Sequence, residues 1–209
     1  MITVQGVPVG ALQVNCYMLK DSSTGFIAVV DPGDNCTALK KLVENEKENI
    51  KYILLTHGHF DHIGYAQALK EQTNAKLAIS KADELLLSDN NLNLSMAFFG
   101  TGVPKTVADI TLEDNDTLML GDSRVTFIST PGHTKGSGCY IIDNNIFTGD
   151  TLMRLSMGRT DFPTGSDDDM KTSLKRLAAL QENYNVYPGH GDYSTLNYEK
   201  GCNLSLIHI

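Results

Sequence analysis

Lys51-Tyr52-Ile53-Leu54-Leu55-Thr56-His57-Gly58-His59-Phe60-Asp61-His62 sets a short, nearly all-apolar run directly against three histidines and an aspartate. An apolar run of that length suits a strand buried on both faces. The histidine-rich segment is therefore predicted on a loop at the strand's C-terminal end. Alternate residues of extended backbone point the same way, so His57 and His59 can grip one ion together. Neutral imidazole is a ready metal ligand. Asp61 and His62 continue past the turn and can reach a second ion, while Gly58 leaves the backbone room to curl. One histidine here would read as ordinary polar surface, but three with an aspartate between residues 57 and 62 do not.

The same pattern of strand followed by glycine turn recurs downstream. It is found in Thr130-Pro131-Gly132-His133-Thr134, Phe147-Thr148-Gly149-Asp150-Thr151 and Tyr187-Pro188-Gly189-His190-Gly191. Five of the six histidines and two aspartates thus fall on loop ends that one edge of a pair of sheets could gather.

HxHxDH, then GH, GD and GH, in this order and over nearly the whole chain, resembles the metallo-β-lactamase superfamily. The resemblance implies an α/β (α+β) fold, a four-layer αββα sandwich with the site at one edge between the sheets. It implies that His57, His59 and His133 bind a first metal, that Asp61, His62 and His190 bind a second, and that Asp150 bridges them. Asp31, in Val29-Val30-Asp31-Pro32-Gly33-Asp34, resembles the family's aspartate behind the ligands, which orients the metal loop by hydrogen bonds. Read alone, Asp31 is equally a turn residue before proline.

The bridging position separates branches. A cysteine there would suggest one class of β-lactamases, and Asp150 stands in its place. The diiron flavoproteins resemble HxExDH, whereas His59 occupies the Glu position here. The segment Gly149-Asp150-Thr151-Leu152 with Gly158-Arg159-Thr160-Asp161-Phe162-Pro163 is similar to the short glyoxalase II-like (hydroxyacylglutathione hydrolase-like) subfamily. That likeness implies Arg159 as a contact to a substrate carboxylate, which a guanidinium suits by its bidentate fork. The alternative for Arg159 is a salt bridge to Asp161 or Asp167. Arg154 and Lys135 are weaker candidates of the same kind. A counterpart of the C-terminal helical domain that completes the glutathione site in glyoxalase II is not expected from this sequence.

The activity implied is a metal-dependent hydrolase that cleaves a thioester such as S-lactoylglutathione, or a related small acyl substrate, through a metal-bridging hydroxide. Asp61 would both ligate and orient that hydroxide. The cofactor expected is two divalent ions, most simply Zn2+, although nitrogen and oxygen donors also suit iron or manganese. The GRTDF stretch also resembles the persulfide dioxygenases, which hold a single iron at positions matching His57, His133 and Asp150. A non-catalytic metal-sensing module would be favoured by a missing ligand, and none is missing.

Bulk properties agree with this class. A chain of 209 residues with 41% hydrophobic composition can bury a sizeable core. A net charge of −8 disfavours a nucleic-acid partner, because phosphate binding needs a basic face. None of the four cysteines lies in a CxxC pair, so they read as idle thiols of a reducing compartment. No run approaches the ~20 apolar residues of a membrane span, and the N-terminal MITVQGVPVG lacks the basic start of a signal peptide. The expected partner is a small molecule, with neither nucleic acid nor membrane, and the expected location is cytoplasmic. No motif speaks to oligomeric state.

Strands are predicted at 2–9, 14–20, 26–31, 51–55, 76–79, 117–120, 124–130, 139–143, 146–148 and 185–187. Helices are predicted at 35–48, 63–70, 81–87 and 167–180, and residues 88–104 read as a long loop or lid. Residues 1–201 form one expected domain. Residues 202–209, Cys202-Asn203-Leu204-Ser205-Leu206-Ile207-His208-Ile209, read as an atypical tail with no role for His208.

Overall fold

A computed structural model describes residues 1–208. Six strands make the first sheet in chain order: β1 (Ile2–Val9), β2 (Val14–Asp21), β3 (Ile27–Val30), β4 (Ile50–Leu54), β5 (Lys76–Ser80) and β6 (Ile110–Leu112). β1, β2 and β3 run antiparallel, and β3 to β6 run parallel. Parallel neighbours need crossovers, and helices supply two of them: α1 (Thr37–Glu46) from β3 to β4, and α2 (Phe60–Ile63) with α3 (Ala66–Thr73) from β4 to β5. The next crossover carries the short α4 (Ser95–Phe99).

The second sheet contains β7 (Thr117–Leu120), β8 (Ser123–Ser129), β9 (Gly138–Ile142) and β10 (Asn145–Gly149). A small hairpin, β11 (Leu152–Met153) and β12 (Ser156–Met157), then leads to α5 (Asp167–Ala178), β13 (Asn185–Pro188) and β14 (Ser194–Thr195). The spatial order is β14-β13-β10-β9-β8-β7. Helices α6 (Leu196–Cys202) and α7 (Leu204–Ile207) close the described chain.

Strand alternation divides the apolar residues into three cores. On β2, Tyr17 and Leu19 face the second sheet, while Cys16 and Met18 face the α1 and α3 side, where Leu39 and Leu69 lie. On β3, Ala28 and Val30 face inward, and Ile27 and Val29 face the helices. From the second sheet, Phe127, Tyr140 and Phe147 fill the space between the sheets. Its outer face, with Cys139 and Ile146, packs on Met170, Leu174 and Leu177 of α5. The order is helix, sheet, sheet, helix, as the resemblance implied. Helix α5 is capped at Ser166, whose hydroxyl accepts from the Asp169 amide, and three aspartates occupy its positive first turn.

Some elements depart from the expected pattern. Residues 81–87 form a seven-residue 3-10 helix, and the stretch read as a long loop contains α4 between two left-handed residues, Leu94 and Gly100. β6, β14, α6 and α7 are additions. In the stretch read as a tail, Asn203 is buried and its amide donates to the carbonyls of Met153 and Ser156, while Leu206 joins the core under α5. Ile209 lies outside the described residues. No helix among them is long and apolar enough to cross a membrane. All four cysteines are free, with Cys16 and Cys139 buried.

Candidate metal centre

β4 ends at Leu54 inside the first sheet, and the chain runs on through Leu55 and Thr56 into His57. β8 leads to His133, β10 to Asp150 and β13 to His190. β8 and β10 share a direction because each is antiparallel to β9, and β13 is parallel to β10. Their C-terminal ends therefore open at one edge. The two sheets are stitched together there: the Gly138 amide donates to the Thr56 carbonyl at 2.9 Å, and the Tyr140 hydroxyl donates to the Leu55 carbonyl at 2.9 Å.

All seven candidate ligand side chains meet at this edge. Their donor atoms fall into overlapping groups within 4.8 Å: His57, His59 and His133; His57, His62 and Asp150; Asp61, His62 and His190. His59 Nδ1 lies 3.1 Å from His57 Nε2 and 2.9 Å from His133 Nε2. In the other group, Asp61 Oδ2 stands 3.4 Å from His190 Nε2 and 3.9 Å from His62 Nε2. Asp150 lies between the groups, with Oδ2 3.5 Å from His133 Nε2 and Oδ1 3.5 Å from His62 Nε2.

The far ring nitrogens of three histidines are tied down. His62 Nδ1 pairs with Asp31 Oδ2 at 2.9 Å, His133 Nδ1 with the Arg159 carbonyl at 2.7 Å, and His190 Nδ1 with the Leu12 carbonyl at 3.1 Å. A nitrogen facing a carbonyl or carboxylate carries the proton, so each Nε2 presents its lone pair to the cluster. His62 Nε2 and Asp150 Oδ1 are buried without a hydrogen-bond partner. Buried polar atoms without partners are costly, and a cation between these oxygens and nitrogens would satisfy them. The donor set fits a pair of divalent ions.

Asp31 does more than turn the chain. It adopts a left-handed φ of 49°, tolerated by aspartate, which folds its carboxylate back toward the metal loop. There Oδ1 accepts from the Thr56 amide at 2.8 Å and Oδ2 from the Thr56 hydroxyl at 2.7 Å, beside His62. Gly189 is needed for closeness. A Cβ at this position would sit 2.2 Å from Asp150 Oδ1 and 2.8 Å from His62 Cε1.

Charge follows this geometry. With no cation bound, burial opposes a proton on His62, but Asp31, Asp61 and Asp150 outweigh it and push the imidazole up to about 10; a metal at Nε2 would displace that second proton. Burial, with the neighbouring histidines, holds His59 down to about 3. Burial would raise Asp61, yet His62 and His190 win and hold it at about 2.

Sequence reading did not single out Asp83, which is fully buried in the 3-10 helix. Its carboxylate accepts from the Gly58 amide at 2.9 Å, the Gly136 amide at 2.7 Å and the Thr134 hydroxyl at 2.7 Å. It thereby clamps the His57–His62 loop to the loop that carries His133. Burial pushes its carboxyl above the usual carboxylate range against those hydrogen bonds. No local motif marks this residue.

A cavity of about 290 Å³ opens over the cluster between Leu12, Phe98 and Phe162. Arg159 stands in its wall, but the guanidinium makes two 2.6 Å bonds to Asp161 and lies 4.1 Å from the Phe162 ring centroid. Arg154 is likewise paired, with Asp192 at 2.9 Å.

The model of the metallo-beta-lactamase superfamily matches residues 9–190. The hydroxyacylglutathione hydrolase GloC of Haemophilus influenzae is 30% identical over 97% of this chain and 97% of its own length. Among solved structures, the BLEG-1 B3 metallo-beta-lactamase has a TM-score of 0.91 at 30% identity, over 98% of this chain and 99% of that one. TTHA1623, solved in a di-iron-bound form, has a TM-score of 0.82 at 30% identity, over 96% of this chain and 98% of that one.

Proposed function

The chain belongs to the metallo-beta-lactamase superfamily, and on that premise we propose that it is a metal-dependent hydrolase that cleaves a thioester or a related small acyl substrate, the class that includes S-lactoylglutathione. The observation that carries this reading is the convergence of seven nitrogen and oxygen donors in two groups that share Asp150. His57, His59 and His133 would hold one ion, Asp61, His62 and His190 the other, and Asp150 both. The relative named as a hydroxyacylglutathione hydrolase supports the thioester; zinc is the metal proposed, and the di-iron form of TTHA1623 keeps iron as the alternative.

Divalent ions held here supply acidity to a bound water and polarise the substrate carbonyl. The chain's residues do the rest. Asp61 is ionised at neutral pH, so its Oδ2 can accept a hydrogen bond from the attacking water and orient it. Asp31, Arg159 and Leu12 accept through the far nitrogens of His62, His133 and His190 and keep the rings in the productive tautomer. Leu94, Phe98 and Phe162 line the cavity and limit water to the cluster. In balance, the acyl C–S bond breaks, a C–O bond forms, and thioester plus water gives carboxylic acid plus thiol.

A mononuclear iron persulfide dioxygenase needs His57, His133 and Asp150 alone and leaves Asp61, His62 and His190 without work, which favours the hydrolase. The test is elemental analysis of the purified protein beside thioester hydrolysis and oxygen consumption on glutathione persulfide. Two metals with metal-dependent thioester cleavage are expected. Full thioesterase activity in metal-free protein, or persulfide-dependent oxygen consumption with one iron, overturns the reading.

A further inference from the structure

We propose that the substrate's acyl group is apolar and uncharged, and that the site selects against anionic acyl and thiol carriers such as S-lactoylglutathione. This rests on the hydrolase reading above and narrows its substrate. The cavity over the ligand cluster has an apolar wall formed by Leu94, Phe98, Met153, Met157 and Phe162. Phe162 stands edge-on to the imidazoles of His59 and His133, with centroids at 5.7 and 6.3 Å, and Phe98 continues that wall at 6.2 Å from Phe162. A reacting carbonyl held at the cluster would therefore have its acyl chain against aromatic rings.

A second hollow of about 190 Å³ adjoins the first and shares Leu12, Phe60 and Asp61 with it. Val9, Ala11, Phe99 and Val103 make it apolar too. Phe98 and Phe99 flank Phe60 with centroids at 5.3 and 5.1 Å, so one aromatic cluster borders both spaces. Leu12, Phe98 and Phe99 remain 42%, 49% and 55% exposed at this mouth, an apolar rim that a lactoyl group has no use for.

Charge points the same way. Outside the metal-ligand set, Arg159 is the only cation among the described residues lining the two hollows, and Asp34 the only carboxylate. Its guanidinium fork is filled by Asp161 and its face covered by Phe162. A substrate carboxylate arriving there meets a neutral pair with an acidic member, without a free fork to receive it.

The test uses the full chain loaded with zinc and neutral N-acetylcysteamine thioesters with acetyl, butanoyl, hexanoyl and phenylacetyl groups, beside S-lactoylglutathione. kcat/KM is expected to rise about fourfold per methylene buried, and S-lactoylglutathione to fall below the hexanoyl thioester. Phe98→Ala should cut the rise to below twofold per methylene. Asp161→Asn, which frees the guanidinium, should raise the S-lactoylglutathione rate. A flat acyl series with S-lactoylglutathione as the best substrate, or no gain on it in Asp161→Asn, overturns this inference and leaves the hydrolase intact. Zinc-loaded protein that cleaves no thioester overturns the hydrolase reading and this inference with it.

Discussion

Replacing Asp31 by asparagine removes one negative charge behind the cluster while keeping the side chain's shape. The carboxylate accepts three buried hydrogen bonds, from the Thr56 amide at 2.8 Å, the Thr56 hydroxyl at 2.7 Å and His62 Nδ1 at 2.9 Å. In Asp31→Asn one amide oxygen can still serve the Thr56 amide, and the Thr56 hydroxyl can rotate to accept. His62 has no such remedy. Its Nδ1 would face an NH2 group, so its proton must move to Nε2, the atom turned toward Asp61 and Asp150. A protonated Nε2 cannot ligate. Losing one buried bond to a charged group costs about 1.5–3 kcal/mol. For a chain of this size, ~2 kcal/mol lowers Tm by about 4–8 °C. Removing a partner that orients a ligand costs metal affinity about 10- to 100-fold. Metal affinity is read by competition with a chromogenic chelator, and the metal-free melt in EDTA separates the folding cost from the binding cost. Asp31→Asn protein that binds both metals with wild-type affinity refutes the argument that Asp31 sets the His62 tautomer.

Three other outcomes follow from the same geometry. Gly189→Ala places a methyl group against Asp150 Oδ1 and His62; metal content and hydrolysis should fall together with the far-UV circular dichroism unchanged, and full metal occupancy would contradict the packing argument. In EDTA, the raised proton affinity of His62 stabilises the folded state fully below pH ~6.5, and that contribution is lost as pH rises through about 10. The EDTA melt should therefore decline across that alkaline range, and a flat or rising profile counts against a charged His62 in the metal-free protein. Asp83→Ala strands the Gly58 and Gly136 amides, at about 1–3 kcal/mol for each donor left unpaired; urea unfolding should show a loss of several kcal/mol, and near wild-type stability would mean that Asp83 does not join the two ligand loops.

The ligand residues were legible because each carries its own local context. A strand, a glycine and a histidine or aspartate stand together in the chain, so residue type and neighbours mark His57, His59, Asp61, His62, His133, Asp150 and His190 as candidate ligands without any knowledge of what lies across the sheet. The alternation on β2 and β3 is equally local, since a strand of period two must present its faces to two different cores. Helix α5 announces itself by its cap at Ser166, its aspartates and its stripe of Met170, Leu174 and Leu177.

What only the tertiary structure decided depends on contacts between residues remote in the chain. Asp83 is 25 residues from Gly58 and 53 from Gly136, so nothing near it in sequence shows that it joins two ligand loops. Arg159 is a local ambiguity instead: its neighbours in sequence leave an anion contact and an ion pair equally open, and the structure shows Asp161 bonded to its guanidinium and Phe162 against its face. β6, β14 and α7 are two to four residues long. Segments that short have little intrinsic preference and exist because a neighbouring strand or core completes them. The candidate ligand set was therefore written in local sequence, whereas the apolar character of the cavity above it came from Leu12, Phe98, Met157 and Phe162, which four separate loops and elements bring to one wall.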